Sequence, residues 1–211
     1  MTRGLRPLLL PALVLLAGIA ASPGGWAVIT VEDLPDYVVA GQPVTLTFSV
    51  RQHGVTLLSG LKGRVEAEAG RLEATVAAAP GNAAGRYTAT MTFPQAGEWT
   101  ITIHSGFGDS KLALVPLQAV EPGTGPSLPL PETERGRRLF VAKGCTTCHR
   151  PGGAGPDLSG RTYPPDYLRQ FLANPAVAAR SGPVQMPNLN LKQPEIAALV
   201  AFINTERQAL R

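Results

Sequence analysis

The sequence predicts a two-domain chain, an all-β sandwich followed by an all-α unit. Three observations carry this. Apolar and polar residues alternate with period two from about Trp26 to Val120. From Val120 to Pro131 the chain reads VEPGTGPSLPLP, too rich in proline and glycine to sustain helix or sheet. From Glu132 onward apolar residues recur at helical spacing. The 211 residues leave room for two small cores. The expected division is a leader at 1–25, a β module at 26–119, a linker at 120–131 and a helical unit at 132–211.

The leader is read as an export signal. Arg3 and Arg6 make a positive start, and Leu8 to Ala21 form an apolar run of signal-peptide length. That run is shorter than the ~20 residues a membrane span needs, and Pro7 and Pro11 weaken it as a helix. Small residues place cleavage between 20 and 27; the alternative is a retained membrane anchor.

In the β module, Pro43 to Val50 alternates cleanly, as do Tyr87, Ala89, Met91 and Phe93, and then Trp99, Ile101 and Ile103. Leu112 and Leu114 suggest a last strand. Turn sequences at Ala40–Pro43, Pro80–Asn82 and Pro94–Gly97 separate the runs. Roughly seven strands in a sandwich are expected, with Phe48 and Trp99 as the large core fillers.

Three helices are expected in the second half. Glu132 to Lys143 carries acids at its start and a lysine at its end, as the helix dipole favours. Gly136 costs roughly 1 kcal/mol against alanine within it, which suggests close approach by another helix. A short helix from Asp166 to Ala173 stops at Pro175, and a last one runs from Pro194 to about Gln208 with Ile196, Leu199, Val200, Phe202 and Ile203 on one stripe. Between the first two lies Cys145-Thr146-Thr147-Cys148-His149, which holds both cysteines of the chain and so leaves no disulfide framework. Two thiols separated by two residues and followed at once by histidine are the attachment signature of c-type haem. In that signature the thiols add across the haem vinyl groups, and His149 is placed where its imidazole can bind the iron. A redox dithiol or half of a zinc site would use the same cysteines, but both leave the histidine idle, and zinc lacks further cysteine ligands.

Charge is uneven along the chain. With Arg3 and Arg6 set aside, residues up to 131 hold 6 Lys/Arg against 9 Asp/Glu, net −3; residues 132–211 hold 11 against 6, net +5. Such asymmetry favours an acidic docking face on a redox partner meeting the haem half; a generally solvated surface is the plainer reading. Basic residues are not interleaved with stacking aromatics, so nucleic acid is not expected. No nucleophile with a nearby base can be picked out, and no small-molecule substrate is inferred.

Two resemblances follow from these residues. Gly85-Arg86-Tyr87-Thr88-Ala89 with Ala96-Gly97-Glu98-Trp99-Thr100-Ile101 resembles immunoglobulin-like periplasmic modules of the YtkA-like kind. Some relatives of that kind are associated with copper, which makes His53, His104 and Met91 worth locating. Met91 is in phase with the apolar face and reads as core, His104 as a solvent-side residue near a strand end, and His53 as part of a turn.

Residues 132–211 resemble a class I cytochrome c domain. The resemblance rests on Gly136…Phe140 ahead of the CTTCH string, on Gly155-Pro156-Asp157-Leu158, and on Met186-Pro187 before the final helix. It implies Cys145 and Cys148 as covalent attachment points for one haem, with His149 and Met186 as axial ligands. It further implies that the Pro156 carbonyl accepts the other N–H of His149, that Gly136 and Phe140 pack on Leu199 and Phe202, and that attachment occurs outside the bacterial cytoplasm. Arg161 and Tyr163 are candidate propionate partners, and Phe140 and Phe171 candidate pocket walls. The expected function is single-electron transfer by a periplasmic monohaem cytochrome rather than enzymatic catalysis, with redox proteins or a membrane respiratory complex as partners. An open-sided haem enzyme or sensor, or a copper-linked assembly factor, are the alternatives.

Overall fold

The computed structural model describes residues 25–125, 129–178 and 186–205. The leader and the Gly182-Pro183 arm of the methionine loop lie outside them. Two sheets form a sandwich. The first contains β1 (Ala27–Val31), β3 (Pro43–Gln52), β4 (Thr56–Leu57), β7 (Ala79–Pro80) and β8 (Arg86–Thr92), in the order β1-β3-β8-β7 with β4 on β3. The second contains β2 (Tyr37–Val39), β5 (Arg64–Ala69), β6 (Leu72–Ala77), β9 (Gly97–His104), β10 (Lys111–Ala113) and β11 (Leu117–Val120), in the order β2-β11-β9-β5-β6 with β10 on β9. Among the described residues strand pairs are antiparallel except β2 with β11, which is parallel.

The expected alternation holds where it was read. Leu46, Phe48 and Val50 on β3, Tyr87, Ala89 and Met91 on β8, and Trp99, Ile101 and Ile103 on β9 all face the core. Phe48 and Trp99 are fully buried, stacked on Tyr87 at 5.7 Å and set edge-on to Phe93 at 5.4 Å. Among the described residues eleven strands, several of only two or three residues, stand where roughly seven were expected. Leu112 lies on β10, and the last strand is β11, in residues that look like the approach to the linker. The hairpin β5–β6, absent from the sequence reading, turns through Gly70-Arg71, with Gly70 at φ 62°.

The helical half contains α1 (Glu132–Ala142), α2 (Cys145–Cys148), α3 (Pro165–Ala173), α4 (Pro175–Ala178) and α5 (Gln193–Thr205). α1 packs on α5 where the sequence places Gly136. A Cβ on that residue would stand 2.0 Å from the Ala198 carbonyl oxygen and 2.6 Å from Phe202 Cβ, so only glycine fits. Phe140 meets Phe202 at 5.4 Å. Leu139, Leu168, Leu172, Ile196 and Leu199 complete this second core. Pro175 ends α3 as expected, yet it also opens the short α4, since proline is tolerated in a first turn.

The linker joins two units that touch. On β1 the inward Ala27, Ile29 and Val31 fill the sandwich, while the outward Val28 and Thr30 are covered by the helical half, so all five residues are buried. Ala142, at the end of α1, is completely buried within the sandwich core cluster. Gly144 lies so close that a Cβ there would meet Ile29 O and Val28 Cγ1 at 2.5 Å. Lys143, read from sequence as a helix-end charge, is 5% exposed: its Nζ donates to Glu32 O and pairs with Glu195 at 2.8 Å. Thr30 Oγ1 donates to Lys143 O at 3.3 Å. Around this seam Arg135 pairs with Asp36 at 2.7 Å, and Lys192 pairs with Asp33.

Candidate haem site

The site begins at the end of α1. Gly144, in the left-handed region at φ 75°, breaks the helix and starts the single turn α2. Residues three apart on a helical turn share a face, so Cys145 and Cys148 are neighbours on that turn, and no disulfide joins them. Burial pushes the Cys145 thiol up to about 12 and raises Cys148 as well. A reactive redox dithiol needs the opposite, a thiol lowered by nearby positive charge.

His149 follows with its backbone N–H donating to Cys145 O at 2.8 Å. Its Nδ1 lies 2.8 Å from the Pro156 carbonyl oxygen. A carbonyl only accepts, so Nδ1 carries the proton, which in a neutral ring leaves the lone pair on Nε2. The loop between them curls tightly: Gly155 N–H donates to Cys148 O at 3.0 Å, and a Cβ on Gly155 would press on the His149 ring at 3.0 Å.

These groups line a hollow of about 680 Å³. Phe140, Leu168, Phe171 and Leu199 make its apolar walls, Tyr163 lines it, and Met186 faces it beside Pro187. A smaller hollow of about 460 Å³ lies at the domain seam and contains neither thiol nor imidazole. The volume falls within the roughly 300–1,000 Å³ typical of cofactor sites. Two thiols, an imidazole and a thioether set in a mostly apolar lining fit a haem. Arg161 is exposed and is not among the lining residues.

The copper candidates are dispersed. Met91 is buried in the sandwich core, His104 at the end of β9 sits 2.7 Å from Glu66, and His53 packs against Trp26. Among the described residues no group of three or more His, Cys, Asp or Glu is placed to hold a metal ion.

Residues 131–203 match the family model described as cytochrome C oxidase, cbb3-type, subunit III. The helical half is thus a cytochrome c domain, and the match leaves the sandwich outside it. Together with the site this supports a haem c electron-transfer protein. No curated protein is significantly similar to the chain. Among solved structures, the Lin-41 filamin domain aligns with 46% of this chain and 93% of its own, at 13% identity and a TM-score of 0.35, a similarity that carries no functional weight. Among the described residues no helix is long and apolar enough to cross a membrane.

Proposed function

We propose that the protein is an exported, periplasmic monohaem cytochrome c that passes single electrons between redox partners, with His149 and Met186 as axial ligands and Cys145 and Cys148 as covalent attachments. The observation that supports this most is the convergence of both thiols, the oriented imidazole and Met186 on one apolar hollow. When bound, haem c supplies a one-electron iron couple.

The chain's own residues then do three things. The Nδ1–H···O bond from His149 to Pro156 fixes the ring so that Nε2 points away from the loop, and raises its basicity as a ligand. Met186 offers a thioether, a combination with histidine that favours a raised potential. Phe140, Leu168 and Leu199 keep water from the site, which keeps reorganisation small during electron transfer.

Partner choice follows the charge. Seam pairing uses Arg135 and Lys192, and Arg137 and Arg138 share Glu134. Arg150 and Arg161 remain exposed around the haem motif and suit an acidic docking face. A membrane respiratory complex is read as one such partner, and the sandwich as a YtkA-like module that braces the cytochrome. The test is the optical spectrum of the purified full chain. A far-red charge-transfer band in the ferric form and slow carbon monoxide binding in the ferrous form are expected. A ferrous form that binds carbon monoxide rapidly would replace this reading with an open-sided haem.

A further inference from the structure

The hollow is not closed by the cytochrome domain alone. Trp26, Val28, Thr30, Arg51, His53 and Gly54, all from the sandwich, line it together with Cys145 and His149. Val28 on β1 is paired with Arg51 on β3, so the two side chains stand on the same outward face of the sheet. That face is the one covered by the α1–α2 junction, where Val28 sits against Gly144. Trp26 packs on His53 at 5.6 Å, and the turn that carries His53 is held at φ 51°.

Arg51 is the one charged member of this sandwich face that lines the hollow. It is half-buried, and its Nη1 donates to Ser49 Oγ at 2.7 Å. Glu32, the acid whose field reaches it, is already held by both its oxygens on Arg86 at 2.7 Å. Among the described residues no carboxylate stands within ion-pair distance of Arg51. A guanidinium has five N–H donors, and taking a charge out of water is costly unless something compensates it. Burial accordingly lowers the hold of Arg51 on its proton.

We propose that the outer face of β1 and β3 is a wall of the haem site, and that Arg51 is a positioning residue presenting positive charge to the bound haem. This rests on the reading of a haem at Cys145 and Cys148. A charge in a partly dry wall is screened less than one in water. It therefore opposes the extra positive charge of oxidised iron and raises the potential, one of the levers a protein has on a haem. The sandwich on this account tunes the cytochrome as well as spacing it.

The test uses the full holoprotein, with redox titrations of wild type, Arg51→Gln, Arg51→Lys and a remote control, Arg71→Gln, in the exposed β5–β6 turn. Arg51→Gln should lower the midpoint potential with the absorption spectrum unchanged. Arg51→Lys should retain most of the wild-type value, and Arg71→Gln should not move it. A potential in Arg51→Gln equal to that of Arg71→Gln overturns the proposal, and so does an Arg51→Lys value as low as that of Arg51→Gln. Wild-type protein that carries no haem would instead remove the underlying reading, which the spectrum reports before any titration.

Discussion

Replacing Gly136 by alanine pits two effects of opposite sign against each other. Helix propensity alone predicts a gain of roughly 1 kcal/mol, because alanine loses less backbone entropy than glycine. Packing predicts a loss. The added Cβ would lie 2.0 Å from Ala198 O, where ordinary contact begins at 3.4 Å, so α1 and α5 must separate by over an ångström. The obstacle is backbone, which cannot rotate away, so the cost belongs at the upper end of overpacking, ~3 kcal/mol. The net expectation is destabilisation by about 2 kcal/mol. At a urea slope of roughly 2 kcal/mol per M, the midpoint followed by helical circular dichroism should fall by about 1 M. Gly125→Ala is the control, since nothing lies within 4 Å of a Cβ there. A Gly136→Ala midpoint at or above wild type would refute the close crossing of α1 and α5.

Other outcomes are expected from the same structure. Lys143→Met removes the cation paired with Glu195, whose other oxygen keeps only the Lys192 N–H, and should cost ~3 kcal/mol in urea unfolding, with part recovered in Lys143→Met/Glu195→Gln. Met186→Ala should abolish the far-red ferric band, speed carbon monoxide binding and lower the potential. The Glu134 carboxyl lies below its ordinary 4.5 because Arg137 donates to it, with Arg138 assisting. A depressed folded-state value gives stability that is present above about pH 4.5 and is lost as pH falls through the lowered value. Glu134→Gln should therefore flatten the acid limb of a stability–pH curve; an unchanged limb would contradict the pairing.

What could be read from sequence was local. The CTTCH string, the spacing from Gly136 to Phe140, and the alternation along β3, β8 and β9 each lie within one element, where periodicity reports which face is buried. The Pro156 contact to His149 also spans only seven residues. The β5–β6 hairpin escaped because alanines dilute its alternation, although Val65 and Ala67 against Glu66 and Glu68, followed by Gly70-Arg71, were an available signal. The seam was not legible at all. Whether Val28 and Thr30 face water or another domain, and whether Lys143 caps a helix or crosses to Glu32, depends on residues more than a hundred positions away.

The most direct measurement is the intact mass of the matured protein after acid–acetone extraction. A coloured polypeptide heavier than its chain by one haem is expected, with Cys145→Ser and Cys148→Ser together abolishing the increment. A pigment that extracts into the solvent, or a chain that emerges at its bare mass, would contradict it.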